Sequence, residues 1–162
     1  MIFLKVFIES LKLPRKKALF TLNRTGMDIV VVYLFILLLF VSVPPLIDRI
    51  NETQIGDVDV QRFFRIIYFF IFYYLPLNVI VFTFISGIAY IGKGISYVLN
   101  RKLHYSLLWK MTAYATTTPF VLYTIVALIF PIPESVLWIG MIYTFLMLVR
   151  LITIYPRRRK RT

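Results

Sequence analysis

Four long apolar runs, each bounded by charge or proline, leave this chain few folds to adopt. Residues 27–47 carry one charge at their start, Asp28, and are then apolar through Val43. Residues 63–92, 107–130 and 135–154 repeat the pattern. A helix of that first length rises about 31 Å, enough for the hydrocarbon core of a bilayer. In lipid every backbone amide must find its partner inside the protein, which a helix achieves within one segment. The hydrophobic share of 60% exceeds the about 45–50% apolar content of soluble domains, so the runs are not ordinary buried cores. With 162 residues, four spans and their loops nearly exhaust the chain. The sequence predicts one all-α membrane domain of four transmembrane helices.

Proline, glycine and charge set the expected borders. Pro44-Pro45 is expected to end the first span, and residues 48–61, acidic and without apolar period, to form an exposed loop. The second run is too long for a perpendicular helix. Pro76 within it frees a backbone carbonyl and predicts a kink, with Asn78 two residues on. Residues 131–134 form a tight turn before the fourth span, and residues 155–162 make a basic tail.

Residues 1–22 do not read as a signal peptide: the apolar residues come first and the basic cluster follows. As a helix they would place Lys5, Glu9, Lys12 and Lys16 on one polar stripe of an apolar cylinder. Such an arm is predicted to lie in the membrane interface, with packing onto the bundle as the alternative. Pro14 interrupts it.

Net charge is +12, and its distribution predicts orientation. Sixteen Lys and Arg fall on the arm, the middle loop and the tail; three, Arg49, Arg62 and Arg65, fall on the opposite side. Cytoplasmic loops collect such residues, so both termini are expected inside a bacterial cytoplasmic membrane. Lys16, Lys17, Arg101, Lys102, Arg157, Arg158, Arg159 and Lys160 are the candidate contacts to anionic lipid. Charge segregated at the ends of apolar runs argues against a nucleic-acid partner.

Groups able to catalyse or ligate are few. There is no cysteine and one histidine, His104, placed at a headgroup level beside Lys102 and Tyr105. Asp57 and Asp59 match no known calcium loop. No span has a carboxylate at its centre, which counts against an ion-coupled pump. The expectation is therefore no catalytic residue, no cofactor and no metal. Polar groups within the spans are Asn78, Ser86, Thr112, Thr116, Thr117 and Thr118, the last beside Pro119, together with several tyrosines. They read in two ways: as packing groups that hydrogen-bond back along their own helix, or as the lining of a polar cleft between the second and third spans. Gly140 and Thr144 offer a similar small-residue notch on the fourth.

The segments ESLKLPRKK, VSVPP and above all LHYSLLWKMTAYATTTPFVL carry a resemblance over nearly the whole chain. They resemble a domain-of-unknown-function family of small multi-pass membrane proteins from Bacillus-like Firmicutes. One member bears a maltodextrin-utilisation label from its genetic neighbourhood, and the family is grouped with the wider Yip-like superfamily. The resemblance implies a multi-pass membrane protein without an assigned activity. Two functions are expected of such a chain. The first is a non-enzymatic accessory or scaffold protein that binds a membrane-protein partner or anionic lipid. The second is a small oligomeric transporter or channel subunit with a polar path between spans two and three.

Overall fold

The computed structural model describes residues 2–51, 59–130, 132, 133 and 135–156. Among them it is helical, and four segments are long and apolar enough to cross a membrane: Met27–Ile50, Phe63–Val98, Tyr105–Ile129 and Val136–Ile154. Two short helices precede these spans, α1 (Ile2–Leu11) and α2 (Lys16–Asn23). They are joined by a turn containing Pro14, as expected of a proline that cannot continue a helix.

The first span is α3 (Met27–Val41) followed by α4 (Val43–Asn51), broken at Ser42. The proline pair does not end it. Pro44 and Pro45 occupy the first turn of α4, where a missing N–H costs little because no intrahelical acceptor awaits it. Ser42 stays right-handed, and its hydroxyl donates to the Leu38 carbonyl at 2.8 Å. Hydropathy alone missed this. The span continues as a broken helix into part of the segment that the sequence assigned to a loop.

The second span is α5 (Asp59–Phe69), a π-helical turn at Phe70–Tyr74, and α6 (Leu75–Val98). Pro76 explains the wide turn. In an α-helix its ring would strike the Phe72 carbonyl; the turn widens instead, and Leu75 N–H donates to Phe70 O, five residues back. The helix passes Gly92 and ends in a Schellman motif. Asn100 takes a left-handed conformation at φ 54°. The N–H groups of Asn100 and Arg101 then return to the carbonyls of Tyr97 and Ser96 at 3.0 and 2.9 Å. Asparagine is one of the few residues that adopts this conformation at low cost.

The third span is α7 (Tyr105–Ala115) and α8 (Thr117–Ile129), and the fourth is α9 (Val136–Ile154). α7 is the centre of the molecule, touching α1, α2, α3, α6, α8 and α9. Residues 111–117 are all buried. A helix buried on every side can carry no charged face, and this stretch is Met, Ala, Tyr and Thr. Two glycines allow close approach. A β-carbon on Gly92 would lie 2.7 Å from Leu148, and one on Gly140 would lie 3.0 Å from the Pro119 ring. The Gly140 notch anticipated on the fourth span thus receives the proline of the third.

Candidate functional site

The polar residues of the third span are the natural place to look for chemistry, and each one has a defined partner or position. Thr112 Oγ1 donates to Leu108 O at 2.8 Å, and Thr116 Oγ1 donates to Ala113 O at 2.7 Å. These bonds return to the same helix. They satisfy two fully buried hydroxyls without help from a neighbour. Thr116 is also where α7 and α8 meet. Three residues on, Pro119 has no N–H for the Ala115 carbonyl, so the helix breaks just ahead of it. Thr117 reaches across instead, sharing a hydrogen bond of 2.7 Å with the Tyr33 hydroxyl of α3. Thr118 and Pro119 are half-buried and line an apolar cleft with Val136, Leu137 and Gly140 of α9.

Asn78 lies elsewhere. It is buried one turn beyond the π-turn, and its Nδ2 donates to Tyr74 O at 2.7 Å. Its Oδ1 is buried with no hydrogen-bond partner. None of the hydrogen bonds among the described residues joins Asn78 to Thr112, Thr116 or Thr117. The polar link between the second and third spans uses Ser86, which the sequence marks as a polar group without a partner. Trp109 Nε1 donates to Ser86 Oγ at 3.1 Å, and Tyr105 OH approaches Ser86 O at 3.4 Å. A serine opposite a tryptophan was legible only as composition, because the pairing spans 23 positions and two helices.

What the threonine stretch does join is the N-terminal arm. The Tyr33 and Tyr114 rings meet at a tilt of 53°, with 5.9 Å between their centres. Thr25, in the connection from α2 to α3, meets the Tyr114 hydroxyl in a short hydrogen bond and donates to Leu22 O at 2.6 Å. Lys110, one turn before Tyr114, donates its ammonium to the carbonyls of Asn23 and Thr25 at 2.9 and 3.0 Å. Asn23 closes α2, so the lysine sits on the negative end of that helix dipole as well as on two carbonyls. From α1, Ser10 is fully buried, bonds Val6 O at 2.7 Å and lies beside Tyr33. The result is a string of polar contacts running from the arm through α3 into the break between α7 and α8. The sequence counts Lys110 with the inner-side charges and the tyrosines only as a group of polar residues within the spans, with no partner for Tyr33 or Tyr114. The signal available was a lysine and two tyrosines inside otherwise apolar runs.

The candidate lipid contacts are dispersed. Lys16, Lys17 and Lys102 are exposed, whereas Arg101 is half-buried with its Nε enclosed and unpartnered. Arg157, Arg158, Arg159 and Lys160 lie outside the described residues, as does Asp57. His104 is an exposed N-cap of α7 that offers its backbone carbonyl, and no side-chain bond, to the helix start. Among the described residues no group of three or more His, Cys, Asp or Glu could hold a metal ion.

Residues 46–152 match the model of a protein family described as protein of unknown function (DUF1189). The match begins within α4 and takes in the second and third spans and nearly all of the fourth; it leaves out the arm and α3. No curated protein matches the chain. No solved structure matches it.

Proposed function

The chain belongs to this family, whose description assigns no activity, and we propose that it is a non-enzymatic accessory or scaffold protein of a bacterial cytoplasmic membrane. In this reading four spans cross with both termini on the cytoplasmic side, where positive charge collects. The α1–α2 arm lies in the inner interface, and a Bacillus-like host and the Yip-like grouping belong to the same proposal. One observation carries it. The buried hydroxyls of Thr112, Thr116 and Thr117 are spent on their own helix or on Tyr33, so the polar run builds a framework. With residues 111–117 enclosed, a partner would meet the outer faces of the spans, the second being the least covered, and the basic inner face. Purification from native membranes in mild detergent is expected to bring down a stoichiometric membrane protein. Ion or solute flux through the pure protein in liposomes would overturn the reading.

A second reading, a small oligomeric transporter or channel subunit, draws support from Asn78. A buried amide oxygen without a partner is costly, and such groups persist where a site uses them. On that reading Asn78→Leu abolishes flux in reconstituted liposomes. Unchanged flux, or none in the parent protein, removes it.

A further inference from the structure

A cationic pocket of about 690 Å³ opens between α1 and α2. Lys5 and Glu9 line it from α1; Lys17, Phe20 and Thr21 from α2; and Arg24 and Thr25 from the connection that follows. Its three cations have no hydrogen bond or ion pair with any described residue, although three positive charges share one concavity. The single carboxylate in the wall, Glu9, is already held by Lys12 at 3.0 Å. Excess charge of this kind is self-repelling and stays unbalanced until an anion enters. The rest of the lining, Ile2, Val6, Phe20 and Leu22, is apolar. Of these, Ile2 and Phe20 stand exposed, at 58% and 47%. A free anion gains nothing from such a rim, whereas a lipid presents phosphate and hydrocarbon side by side.

We propose that this pocket seats the headgroup of an anionic phospholipid, its phosphate on Lys5, Lys17 and Arg24 and its glycerol and first methylenes against Ile2, Val6 and Phe20. The proposal rests on the reading of the chain as a membrane accessory protein with a basic inner face, and it gives that face one defined site. Only Lys17 of the residues expected from the sequence belongs to it; Lys5 and Arg24 join because the turn at Pro14 folds α1 back along α2. The docking of the arm fixes the geometry. The Lys110 ammonium on the Asn23 and Thr25 carbonyls holds the segment that carries Arg24.

The test is native mass spectrometry of the full-length protein, purified in mild detergent and incubated with equal amounts of phosphatidylglycerol and phosphatidylcholine. The parent protein is expected to retain one phosphatidylglycerol per chain. The triple variant Lys5→Gln/Lys17→Gln/Arg24→Gln should bind it on the order of a hundredfold more weakly, given about 1 kcal/mol for each basic residue. A control with the same change of charge away from the pocket and outside the candidate lipid contacts, Arg49→Gln/Lys93→Gln/Arg150→Gln, should retain it. Should the triple variant not fold, Glu9→Gln answers the same question in the opposite direction. It removes the one negative charge of the wall and is expected to raise retention severalfold. Equal loss in both triple variants, equal retention of the two lipids, or displacement by millimolar inorganic phosphate would each overturn the proposal; the last would mark a site for free anions. Flux through the pure protein would end the accessory reading without altering this lipid count, so the two failures are distinguishable.

Discussion

The second and third spans meet the same problem, a proline inside an apolar helix, and resolve it in opposite ways. In the third span the helix breaks at Thr116, three residues ahead of Pro119, inside a stretch buried on all sides. Neighbours fix that break: the Thr117 hydroxyl goes to Tyr33, and the Pro119 ring enters the Gly140 notch. In the second span the strain is taken by the backbone. The chain widens to a π-turn at Phe70–Tyr74, and no residue of that turn is buried. Along its apolar stretch 44% of the third span is buried inside the protein, against 17% of the second. Packing can therefore specify an irregular helix where partners exist. Where they do not, the irregularity must be satisfied by local hydrogen bonds and by stacked rings, such as Phe69 on Tyr73 at 4.8 Å.

Perturbing the third span should cost the most. Thr116→Leu with Thr117→Leu forces extra methylenes into a fully buried site and strands the Tyr33 hydroxyl. Overpacking of this kind costs about 1–3 kcal/mol per site, and an orphaned hydroxyl adds about 1–3 more. Thermal unfolding in detergent should show a drop large enough to prevent purification of a folded form. A melting temperature equal to that of the parent would mean that the stretch is not the packing centre.

Lys110→Met comes next. It leaves the Asn23 and Thr25 carbonyls without their charged donor, at about 1.5–3 kcal/mol. The loss should be local, so limited trypsin digestion at Lys16 and Lys17 is expected to speed up while the four spans stay folded. Unchanged digestion would show that Thr25 and Tyr114 hold the arm without the lysine.

Asn78→Leu tests the second span and should have the opposite sign. The Oδ1 it removes is already unpartnered, so its loss relieves a buried polar group and is expected to raise stability by roughly 1 kcal/mol. A fall in melting temperature would show that the Nδ2 bond to Tyr74 O, or a partner of the amide oxygen, outweighs that relief. The smallest effect is expected from Phe72→Ala. The ring is 69% exposed within the π-turn, and the change should stay within about 0.5 kcal/mol. A loss comparable to that of the threonine pair would mean that another helix covers this face.

The four spans were legible because apolar length is a property of each segment by itself. Their borders were less so. Pro44-Pro45 reads as a stop in any one-dimensional count, yet the first turn of α4 accepts both rings. Asn100 was the available signal that α6 runs to Val98, since asparagine tolerates the left-handed end of a Schellman motif. The threonines were recognised as a group, but their partners were not. Tyr33 lies 84 positions from Thr117, and Thr25 lies 89 from Tyr114. Helical periodicity reports which residues share a face and is silent on which distant face meets it.

The clamp on the arm also imposes an order of events during synthesis. Thr25 leaves the ribosome 89 residues before Tyr114, its partner. At about 5–20 residues per second the arm waits roughly 4–18 seconds for the helix that receives it. Through that interval two spans are made while the arm has α3 beside it, with Ser10 at Tyr33, but not yet α7. Closure over Lys110 therefore becomes one of the later steps of assembly.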